Sequence, residues 1–197
     1  MREQLRFDFM PEEQRRPSKP ERLFLGVFPD PDAKRAVEQL ALRASLEFGL
    51  TGHTLKTDPF HVSLVHVSDR KTLRSGDIFA AELAAGAVGI PPFKLTFRHL
   101  GSFRGMPKKG RPLEHPLVLL TDENPVMKLH AALAMELSKF RFAAPDHFRP
   151  HLTLSYNEQF VPTRMIDPIS FTVKELALVH SELWLTKYNV IRTWSLH

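Results

Sequence analysis

The chain has 197 residues, 43% hydrophobic and 25% charged, which suits one substantial globular domain or two small lobes sharing a core. It contains no cysteine, so disulfides, thiolate catalysis and cysteine-based zinc sites are excluded. A net charge of +5 and a pI near 9.6 lean only slightly toward an anionic partner. No apolar run reaches the length of a membrane span, and the charged N-terminus lacks the apolar segment of a signal peptide. A cytoplasmic location with no membrane partner is therefore expected.

Residues 1–21 read as a charged, flexible extension holding Pro11, Pro17 and Pro20. Its acids and bases balance, so it is no basic nucleic-acid arm. Leu5, Phe7 and Phe9 alternate and suit an edge strand at most. The remainder, 22–197, is expected to form a single domain. Leu23 to Phe28 is a short apolar run, read as a buried strand. Pro29-Asp30-Pro31-Asp32 breaks it and offers a helix cap. Ala33 to Phe48 then has helical spacing, with Ala36, Val37, Leu40 and Leu46 on or near one face, and Gly49 and Gly52 end the helix.

Phe60 to Val67 reads as the next strand, Asp77 to Ala87 as an Ala-rich helix, Phe93 to Phe103 as an alternating strand, and Leu117 to Leu120 as another apolar run. Asn124-Pro125 starts a helix that carries Leu129, Leu133 and Leu137 in register to Phe140. His151 to Tyr156, Phe171 to Ser181 and Lys187 to Ser195 follow as strands. Helices alternating with antiparallel strands imply an α+β fold.

Two segments carry the chemistry: His61-Val62-Ser63-Leu64 and His151-Leu152-Thr153-Leu154. Alternate residues of a strand share a face, so each segment points an imidazole and a hydroxyl one way and two apolar groups into a core. The segments lie 90 positions apart, about half the ordered chain. With the repeated order of elements, this suggests a duplication with a pseudo-twofold axis and a cleft between two lobes. Two histidines on opposite sides of a phosphorus suit hydrolysis of a cyclic phosphate, one as base and one as acid. Ser63 and Thr153 are placed to donate to the non-bridging oxygens. The scheme uses no metal and no cofactor.

These residues resemble the two-histidine (2H) phosphoesterase superfamily, most closely the bacterial RNA 2′,3′-cyclic phosphodiesterases, also called 2′-5′ RNA ligases. Phe148-Arg149-Pro150-His151-Leu152-Thr153-Leu154 is a close match, and Phe60-His61-Val62-Ser63-Leu64 fits with serine where threonine is more usual. The resemblance covers about residues 22 to 196. It implies a bilobal fold of two pseudo-twofold-related antiparallel lobes with helices outside. It implies His61 and His151 as the catalytic pair, with His151 activating water and His61 protonating the 3′ oxygen. The partner implied is RNA with a 2′,3′-cyclic phosphate end, or a small cyclic nucleotide, and ligation is the reverse reaction. The residues alone leave open which histidine is acid and which base, and nothing in them demands more than a monomer.

Further candidates surround this core. Arg149 has the fork geometry for phosphate oxygens. Arg104, Lys108, Lys109 and Arg111, with Gly105 and Gly110, form a basic loop suited to an RNA backbone. Phe60, Phe103, Phe148 and Tyr156 are candidates for stacking on bases. His66 lies an odd count from His61 and is expected on the opposite face. His53, His99, His115, His130, His147, His180 and His197 have no partner at metal-ligand spacing. Two rival readings are a non-catalytic nucleotide-binding module that keeps the cleft and a small metal-dependent hydrolase.

Overall fold

Asp30 and Gly49 bound the first helix as the sequence suggests. The Ala33 N–H donates to the Asp30 carboxylate at 2.9 Å, and Gly49 closes the helix at φ 60°, the left-handed conformation glycine tolerates best. In the computed structural model, residues 18, 20–54, 60–107, 110, 112–121, 123–143, 147–183 and 187–197 are described. The strands are β1 (Glu21–Val27), β2 (His53–Thr54), β3 (Val62–Arg70), β4 (Phe93–Ser102), β5 (His115–Leu120), β6 (His151–Asn157), β7 (Arg164–Val173), β8 (Glu175–Glu182) and β9 (Lys187–Ser195). The helices are α1 (Pro31–Phe48), α2 (Ser75–Gly86) and α3 (Asn124–Ser138). The extension, apart from residues 18, 20 and 21, lies outside the described residues, as do Lys108, Lys109 and Arg111.

The strands form one antiparallel sheet in the order β7-β4-β5-β6-β3-β1-β8-β9, with β2 against β6. Two four-stranded halves meet at the β6/β3 seam, where the ladder holds a single pair, Val62 opposite Leu152. Outward from the seam, β6, β5, β4 and β7 correspond to β3, β1, β8 and β9. In each half a strand, a helix and a motif strand follow one another (β1–α1–β3 and β5–α3–β6), as a duplicated α+β chain requires.

The symmetry reaches single residues. The β1/β3 ladder runs from Gly26–Ser63 to Leu25–Val65, skipping Leu64. The β5/β6 ladder runs from Val118–Thr153 to Leu117–Ser155, skipping Leu154. Both motif strands therefore bulge at the leucine that ends the motif.

The helices cover one face of the sheet. α2 packs on β1, β3, β8 and β9, α3 on β3 and β4, and α1 crosses to β6 and β7 of the other half. Leu64, Leu152 and Leu154 join this core with Val37, Leu133 and Leu137, all 8% exposed or less. A fully buried leucine contributes roughly 1.5–3 kcal/mol, so the motif strands are anchored from behind.

Three expectations need correction. Leu46 is 77% exposed, because the buried stripe of α1 is Val37, Leu40, Ala41 and Ala44. The strand expected over Phe171 to Ser181 is two strands, broken at Lys174. β7 begins at Arg164, in a largely exposed stretch containing Pro168. As the outermost strand it tolerates proline and shows little apolar pattern.

Candidate active site

Carrying the Val62–Leu152 register one residue to either side sets His61 across from Thr153 and Ser63 across from His151. All four are half-buried, while Val62, Leu64, Leu152 and Leu154 between them are buried in the core. The two imidazoles thus occupy opposite corners of a rectangle on the helix-free face, and the two hydroxyls occupy the others. Diagonal neighbours on adjacent strands lie about 7–8 Å apart, a span that one phosphoryl group bridges.

Each imidazole is held within its own half. The ring of His61 packs against Phe24 at 5.0 Å, Tyr188 at 5.1 Å and Phe28 at 6.0 Å. Gly26 makes this approach possible. A Cβ there would lie 2.9 Å from the Val62 carbonyl oxygen and 3.2 Å from the Phe24 ring. The Nε2 of His61 shares a 3.0 Å hydrogen bond with the Ser63 hydroxyl.

In the other half, His151 meets the Phe103 ring edge-on at 4.9 Å, and the Arg149 guanidinium lies 5.1 Å from the centre of that ring. The Nδ1 of His151 lies 2.8 Å from the Arg149 carbonyl oxygen. A carbonyl only accepts, so Nδ1 carries the hydrogen and Nε2 of the neutral ring keeps its lone pair. Burial pushes the His151 pKa below its ordinary value. The nearby Arg149 charge adds to this shift, and the bond to the Arg149 carbonyl opposes it. Near neutral pH the ring is therefore chiefly a base.

A cavity of about 550 Å³ opens beside this half, lined by His99, Thr121, Asn124, Met127, Phe148 and Arg149 among others. Sequence reasoning did not find it, since it needs the end of β5, the start of α3 and the lead-in to β6 together.

The structure divides the remaining candidates. Arg149 is exposed beside His151, and Phe103 forms part of the same wall. Phe148 lines the cavity, but one ring face is stacked on His130 at 3.9 Å. Phe60 is 5% exposed in the core, where it presents no face to a base. It shares the parity of Val62 and Leu64, which sends it inward. Arg104 is exposed, and no ion pair holds it among the described residues. Tyr156 is 41% exposed. Among the described residues no three His, Asp or Glu side chains gather at metal-binding spacing. Nor is any described helix long and apolar enough to cross a membrane.

His66 stands opposite Phe24 on β1, and the Phe24 ring packs on His61. It therefore shares the face of His61, contrary to expectation, because the bulge at Leu64 shifts the alternation by one. Its Nε2 lies 2.9 Å from Asp69, which also takes two hydrogen bonds from Arg22 at 2.9 and 3.0 Å. Arg22, aided by His66, holds the Asp69 carboxyl at about 2 against the cost of burial. A depressed carboxyl pKa stabilises the fold above the unfolded value, and that contribution disappears as pH falls through the folded one. Asp69→Asn is expected to cost on the order of 1–2 kcal/mol at pH 7, discounted for partial exposure. The cost should fade between pH 4 and pH 2, measured by urea unfolding at each pH.

No curated protein sequence matches the chain. Solved structures do. A protein described as a phosphoesterase superposes with a TM-score of 0.67 at 19% identity, over 90% of this chain and 99% of that one. Escherichia coli LigT in its apo form gives 0.67 at 21% identity, over 91% and 99%. TT0787 of Thermus thermophilus gives 0.66 at 18% identity, over 89% and 97%. LigT has also been solved with 3′-AMP, in a form that matches at 0.63 and 20% identity, over 90% and 98%. At these identities the likeness establishes the fold alone. The sequence itself matches the family model of the 2′-5′ RNA ligase superfamily over residues 28–183, a span that contains both histidine motifs, and the chain belongs to that superfamily.

Proposed function

We propose that this chain is a metal-independent phosphodiesterase that opens 2′,3′-cyclic phosphates at RNA ends, or in small nucleotides, to leave 2′-phosphates. The observation that carries the reading is the diagonal pair of imidazoles, with the His151 Nδ1 hydrogen held by the Arg149 carbonyl so that Nε2 is left to accept a proton. His151 Nε2 takes a proton from water, and the water oxygen attacks phosphorus. The P–O3′ bond breaks, and His61 delivers a proton to O3′. In-line attack needs base and acid on opposite sides of phosphorus, and the diagonal arrangement supports this. Ser63 and Thr153 donate to the non-bridging oxygens as their charge grows. With a 5′-hydroxyl in place of water, the same steps form a 2′-5′ linkage. The neighbouring cavity is large enough for a nucleoside next to the reacting phosphate.

A panel of cyclic and 2′-5′ phosphodiesters with end-group analysis tests this. Turnover that survives excess EDTA and leaves a 2′-phosphate is expected. Tight RNA binding without turnover would leave a nucleotide-binding module, and loss of activity in EDTA would leave a metal-dependent hydrolase.

Arg149 gives a second check. Arg149→Ala keeps the carbonyl that holds His151 Nδ1 and removes the charge that lowers the His151 pKa. The acidic limb of the pH–rate profile is expected to move up in pH, and KM to rise about tenfold through loss of a charged phosphate contact. A limb that stays in place together with an unchanged KM would remove Arg149 from the site.

A further inference from the structure

His130 belongs to neither motif yet touches the first and the lead-in to the second. It sits on the buried stripe of α3 with Val126, Leu129, Leu133 and Leu137, and is only 9% exposed. An imidazole among aliphatic side chains is costly unless its polar atoms are satisfied. Its Nδ1 lies 2.8 Å from the carbonyl oxygen of Leu64, so Nδ1–H is the donor. Leu64 is the residue that the β1/β3 ladder skips, and across the seam β3 pairs with β6 only at Val62. His130 therefore supplies a partner to a carbonyl at the bulge, one residue after Ser63.

The same ring stacks on Phe148 at 3.9 Å with planes 11° apart. Phe148 immediately precedes Arg149, whose carbonyl holds His151 Nδ1 and whose side chain lies over Phe103. A continuous chain of contacts runs from Leu64 through His130 and Phe148 to Arg149 and His151. The sheet ties the two motif strands by one pair, and His130 ties them again from the core side.

We infer that His130 is a positioning residue that fixes the spacing of His61 and His151 by holding the bulge of β3 and the lead-in of β6 at once. The inference rests on the reading of those two histidines as the reacting pair. A misplacement of about 1 Å can cost on the order of 100-fold in rate, so a loosened seam should be felt in kcat.

The two contacts can be removed separately. His130→Phe keeps the stack and loses the donor, His130→Asn keeps a donor and loses the stack, and Phe148→Leu removes the stack from the other side. Kinetics on a 2′,3′-cyclic nucleotide are measured together with the ring nitrogen NMR signals of His61 and His151. His130→Phe is expected to lower kcat about 10–100-fold with KM within a few-fold, and to move the ring signals of both histidines. His130→Asn should recover part of the loss. Adding Phe148→Leu to His130→Asn should cost less than it does in the wild type, because the stack is already gone.

A folded His130→Phe protein with wild-type kcat and unmoved ring signals would overturn the inference. So would a fall in Tm with kcat per folded molecule unchanged, the mark of a core residue and nothing more. If His130→Phe does not fold, His130→Asn carries the test: the ring signals of His151 should move while those of His61 stay. If the wild type turns over no phosphodiester, the NMR signals still decide. Movement at His151 when the Leu64 bond is lost supports the coupling, and stillness ends it.

Discussion

His151→Ala is expected to lower kcat on a 2′,3′-cyclic nucleotide by about 10²–10⁴-fold with KM within a few-fold of wild type, and His61→Ala to do the same. Both rings are half-buried on the helix-free face, away from the core behind the motifs. The unfolding temperature should stay close to wild type for His151→Ala and fall modestly for His61→Ala, which loses packing on Phe24, Phe28 and Tyr188. If the two rings serve one displacement as base and acid, they act as a unit and the double mutant should be little worse than either single one.

The pH dependence separates the two roles. As the proposed base His151 has to be neutral to take the proton, and burial keeps its pKa below the ordinary histidine value. The acidic limb of the wild-type bell should therefore fall below pH 6.5, where base is lost as pH drops. His151→Ala should abolish that limb, and His61→Ala the alkaline one. Residual rates in which both limbs persist in both mutants would contradict paired acid–base catalysis, whatever the loss in kcat.

The four corner residues were legible because a strand has a period of two. His61 and Ser63 alternate with Val62 and Leu64, and His151 and Thr153 with Leu152 and Leu154, so the polar and buried sets separate without a structure. The same parity places Phe60 inward, and that signal was available. The expectation that it stacks on bases overlooked it.

His66 failed for a different reason. Counting by twos assumes an unbroken ladder, and the bulge at Leu64 breaks it. Two apolar residues in succession, Leu64-Val65, are the trace that bulge leaves in the sequence. The walls were harder still. Phe24 lies in an apolar run buried on both faces, so pattern alone cannot say which face it takes, and Tyr188 reaches His61 from a strand more than 120 residues later. β7 was invisible over its first half because an outer strand exposes most of its side chains. His130 falls four residues after Val126, on the same helical stripe. Helical spacing thus places it in the core, but not against the Leu64 carbonyl.

Thr153→Val tests the other pair of corners. Valine keeps the shape and the strand preference of threonine and removes only the hydroxyl. If that hydroxyl donates to a non-bridging oxygen whose charge grows in the transition state, a loss of about 10–100-fold in kcat is expected, with stability within about 0.5 kcal/mol. Ser63→Ala should cost a similar amount, but less cleanly, since Ser63 also partners His61 Nε2 at 3.0 Å and the substitution takes that hydrogen bond from the ring as well. The two hydroxyls sit at opposite corners, so they should serve different oxygens of one phosphate. Their losses should then multiply, to about 10²–10⁴-fold in the double mutant. A Thr153→Val protein with wild-type kcat/KM would show that the phosphate does not sit between the motif strands. That result would count against the site even if both histidines proved essential, because a phosphorus held between diagonal imidazoles on this face lies within reach of the other two corners.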